Sequence, residues 1–337
     1  MSSVDCELCP KGCRIPDGMS GDCRVRVNVA GKLLATTYGR PASVHVDPME
    51  KKPLFHFLPG SPIFSLATAG CNLHCKNCQN WQLSQSTGYE TDNYDAPPES
   101  IVAAARERGC RSIAYTYSEP IVFYEYVLDT ATLAREAGLA NVMVTAGYIN
   151  LKPLRRLCRV LDATNTNLKF FDDALYRSNC DATLKPVLDA LVTFREEGVW
   201  LEVTNLLIPT VSDDLAMIRR MCRWILRELG AETPLHFNRF FPEYQLRNLP
   251  WCPVETARRA RQEALDVGLK HVYCGNLHGE VDPSESTFCA GCGKRVVERQ
   301  GFSLLETRLE AGRCGWCGRP VAGVWSPGAR PGGRSTP

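Results

Sequence analysis

The chain has 337 residues, 44% of them hydrophobic, and a formal net charge of +2. That length permits one large domain with one or two small ones, and a near-neutral chain without a long basic stripe gives no push toward nucleic acid or an anionic membrane. No apolar run reaches a membrane span, and the start Met1-Ser2-Ser3-Val4-Asp5-Cys6 lacks the basic and apolar regions of a signal peptide, so a cytoplasmic location is expected.

Residues 1–60 read as an N-terminal Cys-rich module. Cys6, Cys9, Cys13 and Cys23 supply four ligands, enough for zinc or for an auxiliary iron–sulfur cluster. Gly12, Gly18 and Gly21 allow tight wrapping. Residues 24–29 and 32–35 predict a hairpin about Ala30-Gly31.

From 61 to 283, strand and helix alternate. Strands are predicted at 64–69, 111–117, 141–146, 162–169, 199–208 and 234–240, with helices at 97–109, 121–138, 213–230 and 253–268. Alternation of this kind means a parallel sheet. Six such units predict an α/β fold, a partial (β/α)6 TIM-like barrel rather than a closed eight-stranded one.

The first of these strands runs through Gly70 into Cys71-x3-Cys75-x2-Cys78. A metal loop at the carboxyl end of a strand is where α/β enzymes place active sites. Cysteine-bound [4Fe–4S] clusters normally take four thiolates. Three leave one iron free to bind a substrate or cofactor. The alternative is a half zinc site, or unrelated buried thiols.

Residues 284–325 read as a small zinc-ribbon-like module. Cys289-x2-Cys292 and Cys314-x2-Cys317 lie in glycine-containing knuckles about twenty residues apart, which suits tetrahedral zinc; an auxiliary iron–sulfur cluster is the competing reading. The Gly/Pro-rich stretch 326–337 reads as a disordered tail. The chain has 17 cysteines. Six of them, Cys110, Cys158, Cys180, Cys222, Cys252 and Cys274, stand alone and are expected to be small buried apolar residues.

The cysteine loop resembles that of the radical SAM superfamily. The whole chain is similar to the radical SAM enzyme family of the AmmeMemoRadiSam system, related to the activating enzyme of pyruvate formate-lyase. The match rests on Gly21-Asp22-Cys23-Arg24-Val25-Arg26, the stretch from His45 to Gly60, Gln79-Asn80-Trp81, Tyr115-Thr116-Tyr117-Ser118-Glu119-Pro120, Val144-Thr145-Ala146-Gly147-Tyr148 and Gly323-Val324-Trp325.

The resemblance implies a [4Fe–4S] cluster on Cys71, Cys75 and Cys78 that chelates S-adenosylmethionine (SAM) and yields a 5′-deoxyadenosyl radical. The radical would take hydrogen from an unidentified substrate, for which a protein is one candidate. Glu119 would bind the SAM amino group, Thr145 the ribose and Lys169 the SAM carboxylate. A ferredoxin or flavodoxin would supply electrons. Departures from the activating-enzyme pattern are Asn77 where an aromatic residue is usual, Asn167 in place of aspartate and Glu202 in place of arginine. They count against simple transfer of glycyl-radical activation, which stays as an alternative. His236 and Arg239 are further candidates for substrate or SAM contacts. A non-catalytic electron-transfer or zinc-ribbon interaction protein is the alternative from another class.

Overall fold

The computed structural model describes residues 3–277 and 282–326. All but the first residue of the Gly/Pro-rich tail lies outside that range. The centre is an eight-stranded sheet of β1 (Ser43–Pro48), β2 (Pro62–Ala67), β3 (Ser112–Tyr115), β4 (Ala140–Thr145), β5 (Ala163–Asn167), β6 (Trp200–Leu207), β7 (Leu235–Arg239) and β8 (Val272–Gly275). Its strands lie side by side in chain order, and among the described residues no pairing joins β1 to β8. The sheet is therefore open. Strands β2 to β8 run parallel, and β1 pairs antiparallel with β2.

All six strands expected from the alternation are present. The additions are β1 and the four-residue β8. The helices are α1 (Pro98–Glu107), α2 (Tyr124–Glu136), α3 (Leu151–Cys158), α4 (Asp173–Cys180), α5 (Leu184–Glu196), α6 (Leu215–Glu228) and α7 (Val254–Val267). Helices α3, α4 and α5 were not expected from the sequence. Pro153 and Pro186 sit in the first turns of α3 and α5, where a missing N–H is tolerated. The Asp172 carboxylate caps α4 by accepting from Leu175 N.

Period-two alternation sends successive strand residues to opposite faces. Phe64, Leu66, Ile113, Tyr115 and Met143 face the helices around α1 to α3. Leu201, Val203, Leu207, Leu235 and Phe237 do the same beside α6 and α7. The opposite face lines the barrel interior. There Ile63, Ala114, Val142 and Ala163 meet Met49, Leu54, Phe57 and Leu58. The segment 52–58 thus plugs the barrel. It is pinned by polar bonds: Phe55 N and His56 N donate to the Glu202 carboxylate at 3.0 and 2.8 Å, and Asn165 Nδ2 donates to Pro53 O at 2.8 Å. The plug sits toward the amino ends of the strands and leaves the carboxyl ends open.

The N-terminal hairpin forms as expected, Arg26–Val29 against Lys32–Ala35. Ala30 and Gly31 take φ of 51° and 83°, the left-handed pair that a two-residue hairpin turn requires. At the other end, Thr287–Phe288, Arg295–Gln300 and Ser303–Thr307 form an antiparallel sheet. Buried Arg299 ties it to the plug, donating to Phe55 O at 2.6 Å and lying 3.5 Å from the Glu50 carboxylate. Val324 N donates to His56 O, and Leu58 N to Val324 O, both at 2.7 Å.

Candidate active site and cysteine centres

A cavity of about 540 Å³ opens at the carboxyl ends of the strands, and each strand from β2 to β8 contributes to its wall through its own end or the loop that follows. A flat sheet could not do this, so the convergence reflects curvature. The wall includes Cys71, Cys75 and Cys78, together with Glu119, Thr145 and Lys169. The structure therefore brings together all six residues singled out in the sequence for this site.

The cysteine loop is held on several sides. His74 N and Lys76 N donate to Cys180 O and Asn179 O at 3.0 and 2.9 Å, and Gln245 N donates to Lys76 O at 2.9 Å. Asn80 Nδ2 donates to Tyr117 O at 2.8 Å. Cys78 Sγ lies 3.2 Å from Ser84 Oγ, and Leu73 N donates to Cys71 Sγ at 3.4 Å. Cys180 is fully buried in the core, as expected, and its thiol beside Cys75 pulls the Cys75 thiol down to about 7 while Cys180 is pushed well up. Burial, reinforced by the charge of Glu119, pushes the Cys71 thiol well above its ordinary value. No local spacing in the sequence links Cys180 to the loop.

Glu119 is 3% exposed. Its carboxylate accepts from Thr145 Oγ1 at 2.5 Å, Ala146 N at 2.8 Å and Ile121 N at 3.3 Å. Burial nonetheless raises its pKa. A carboxylate offers about four lone-pair sites, so one acceptor position remains. Lys169 faces the cysteines. Burial would lower its pKa, but Cys75, Cys180, Cys78 and Cys71 around it raise it on balance.

Asn77 and Asn167 also line the cavity. Asn167 Nδ2 donates to Thr145 O at 3.4 Å, and buried Asn77 Oδ1 has no partner. Glu202 lies deeper and is fully engaged, accepting from the plug, from Trp200 Nε1 at 3.1 Å and from His236 at 2.7 Å. It is a pin for the barrel interior rather than part of the cavity wall. On the same strand Thr204 and Leu206 reach the cavity. His236 lines it too. Arg239 does not join it, and donates instead to Cys252 O and Asn276 O at 2.7 and 3.3 Å.

Two neighbouring features were not singled out as site residues. Lys52 is buried against Asp47 at 2.6 Å and lies 4.4 Å from the Tyr117 ring centroid. Burial lowers its pKa to about 8. Tyr117 itself has φ of 63°, a strained value for a bulky residue. The second feature is Gly301-Phe302, the tip of a C-terminal hairpin, which reaches the cavity wall.

The C-terminal quartet is contracted. Cys289 and Cys317 sulfurs are 3.6 Å apart, Cys292 and Cys314 3.7 Å, and all four lie within 4.8 Å of one another. Thiolates on one tetrahedral ion with 2.3 Å bonds lie about 3.8 Å apart. The quartet has the arrangement of a metal-binding zinc ribbon. Cys6, Cys9, Cys13 and Cys23 instead ring a small cavity.

A family model described as "Radical SAM superfamily" matches residues 65–222. The uncharacterized protein MJ0808 of Methanocaldococcus jannaschii is 42% identical over 322 residues, 95% of each chain. The pyruvate formate-lyase-activating enzyme of Clostridium pasteurianum is 20% identical over 215 residues, 60% of this chain and 88% of that one. Among solved structures, SuiB of Streptococcus suis bound to S-adenosylmethionine matches with a TM-score of 0.51 at 12% identity. That match covers 68% of this chain and 53% of SuiB, a likeness of fold.

Proposed function

This chain belongs to the radical SAM superfamily, and from that we propose an enzyme that cleaves SAM reductively and abstracts hydrogen from a substrate. Cys71, Cys75 and Cys78 would hold a [4Fe–4S] cluster. The cluster, when bound, supplies the electron that opens the sulfonium and releases a 5′-deoxyadenosyl radical.

The observation that carries this reading is a loop of three thiols opening on a cavity with Glu119 and Lys169 on its wall. Soft thiolates suit an iron–sulfur centre. Cys180, buried beside the loop, is left outside the ligand set, so that one iron stays open to SAM. Glu119 keeps one acceptor position for an ammonium, and the pairing would be charge-assisted. Lys169 supplies a cation for a carboxylate. Thr145 and Ala146 fix the Glu119 carboxylate, and the plug closes the amino end of the barrel to water.

We further assign zinc to Cys289, Cys292, Cys314 and Cys317, and a low-potential donor such as a ferredoxin or flavodoxin as reductant. Among the described residues no helix is long and apolar enough to cross a membrane, and we place the protein in the cytoplasm. The test is anaerobic reconstitution with iron and sulfide, reduction, and an assay for 5′-deoxyadenosine. Failure of the loaded, reduced protein to cleave SAM would overturn the reading. The relation to the C. pasteurianum enzyme supports a second reading, activation of a glycyl-radical partner. A glycine-centred EPR signal on a co-purified protein would select it.

A further inference from the structure

The N-terminal cysteines are the strongest feature that this function leaves unused. Cys6, Cys9, Cys13 and Cys23 ring one cavity, whose wall also holds Lys11, Arg26 and Asn72. They are drawn together by backbone contacts. Cys6 N donates to Cys13 O at 2.8 Å, and Gly12 N to Cys9 O at 3.1 Å. One amide also points at a sulfur: Asp22 N donates to Cys13 Sγ at 3.5 Å.

Spacing separates the two kinds of centre these thiolates could serve. A single tetrahedral ion draws four sulfurs into contact, as in the C-terminal quartet. A cubane spreads its thiolates over four irons, with inorganic sulfide between them. Among the described residues, no three of Cys6, Cys9, Cys13 and Cys23 lie within 4.8 Å of one another, and the same holds for Cys71, Cys75 and Cys78. Neither the N-terminal quartet nor the triplet is contracted as the zinc ribbon is.

Charge and hydrogen bonding agree with that spacing. Arg26 is 7% exposed. Its terminal nitrogens are bidentate on Glu125 at 2.7 and 2.8 Å, while its Nε–H is buried without a partner. A buried, unmet donor on the cavity wall is costly unless something there accepts from it. Sulfide and thiolate both accept.

We infer that Cys6, Cys9, Cys13 and Cys23 ligate a second, fully coordinated iron–sulfur cubane packed against the loop of the first. Contact between the two sites is direct. The Asn72 side chain, next to Cys71, lines the same cavity as the four cysteines. Gly70 has φ of 93°, and a Cβ there would meet Cys23 O at 2.7 Å, so the backbones touch. With four thiolates this cluster has no vacant iron and binds no SAM. It can only accept one electron from the low-potential donor and pass that electron on. The inference stands apart from the SAM chemistry proposed above.

The test uses the full chain, reconstituted anaerobically, as wild type and with Cys71→Ala, Cys75→Ala and Cys78→Ala combined. The wild type is expected to carry about eight irons and the triple variant about four, each with matching sulfide. On reduction the triple variant should give an EPR signal that added SAM does not alter. Zinc without iron in the triple variant, or about four irons in the wild type, would overturn the assignment. If the wild type carries eight irons yet cleaves no SAM, the proposed function fails and the second cluster stands.

Discussion

The Thr145 hydroxyl donates to the Glu119 carboxylate across 2.5 Å, joining the last residue of β4 to the loop after β3. Gly147 N donates to the same hydroxyl at 2.9 Å. The Thr145 hydroxyl thus orients Glu119 and keeps one acceptor lone pair. Replacing Glu119 by Gln keeps the shape and removes the charge. SAM affinity should fall roughly 10- to 100-fold, the range for losing a charge-assisted hydrogen bond, with iron content unchanged. Thr145→Val should weaken binding less. Equilibrium binding to reconstituted protein checks both.

Cys180 offers a sharper test of the cysteine loop. Hydrogen bonds to cluster sulfurs tune reduction potential. Cys180→Ala removes the bond to Cys75 and should shift the first cluster to a more negative potential while iron content holds. Redox titration by EPR reads the shift. A gain or loss of an iron ligand in that variant would contradict the three-thiol assignment.

The buried pair of Lys52 and Asp47 sets the stability of the cavity rim. Lys52 is 1% and Asp47 5% exposed. Asp47→Asn leaves the lysine unpaired and should destabilise the fold by about 3–5 kcal/mol. Asp47→Asn with Lys52→Met should recover much of this. Burial works to raise the Asp47 pKa, but hydrogen bonds from Lys51, Lys52 and Tyr117 hold it below the ordinary 3.8. Its contribution is therefore present above that value and lost as pH falls. Denaturant unfolding between neutral and acid pH should show the wild-type loss, and the Asn variant a shallower one.

Metal removal from the C-terminal quartet should loosen the hairpin whose tip, Gly301-Phe302, reaches the cavity. Structural zinc contributes folding energy directly. Cys314→Ser should lose zinc by elemental analysis and expose residues 287–307 to limited proteolysis. The barrel should remain resistant. Unchanged proteolysis of the zinc-free variant would refute the structural role.

Local patterns made much of this legible. Cys71-x3-Cys75-x2-Cys78 and the two C-terminal knuckles are short-range, and a ligand spacing of two or three residues survives any fold. The strands β2 to β7 were readable because strand and helix alternate along the chain; β8, as short as β3, was not read. Glu119 and Lys169 were placed by resemblance, and they converge because adjacent parallel strands end at one level.

By itself the sequence determined the cysteine groupings, the alternating sheet and helices, and the strand end at which the cysteine loop sits. Only the tertiary structure decided that Cys180 meets Cys75, that Phe55 and His56 rest on Glu202, and that the N-terminal sulfurs spread while the C-terminal ones touch. The reason is physical. The first kind of fact follows from bonds and periods a few residues long. The second depends on where a curled sheet brings segments such as 52–58 and 200–207 together, and no local period encodes that closure.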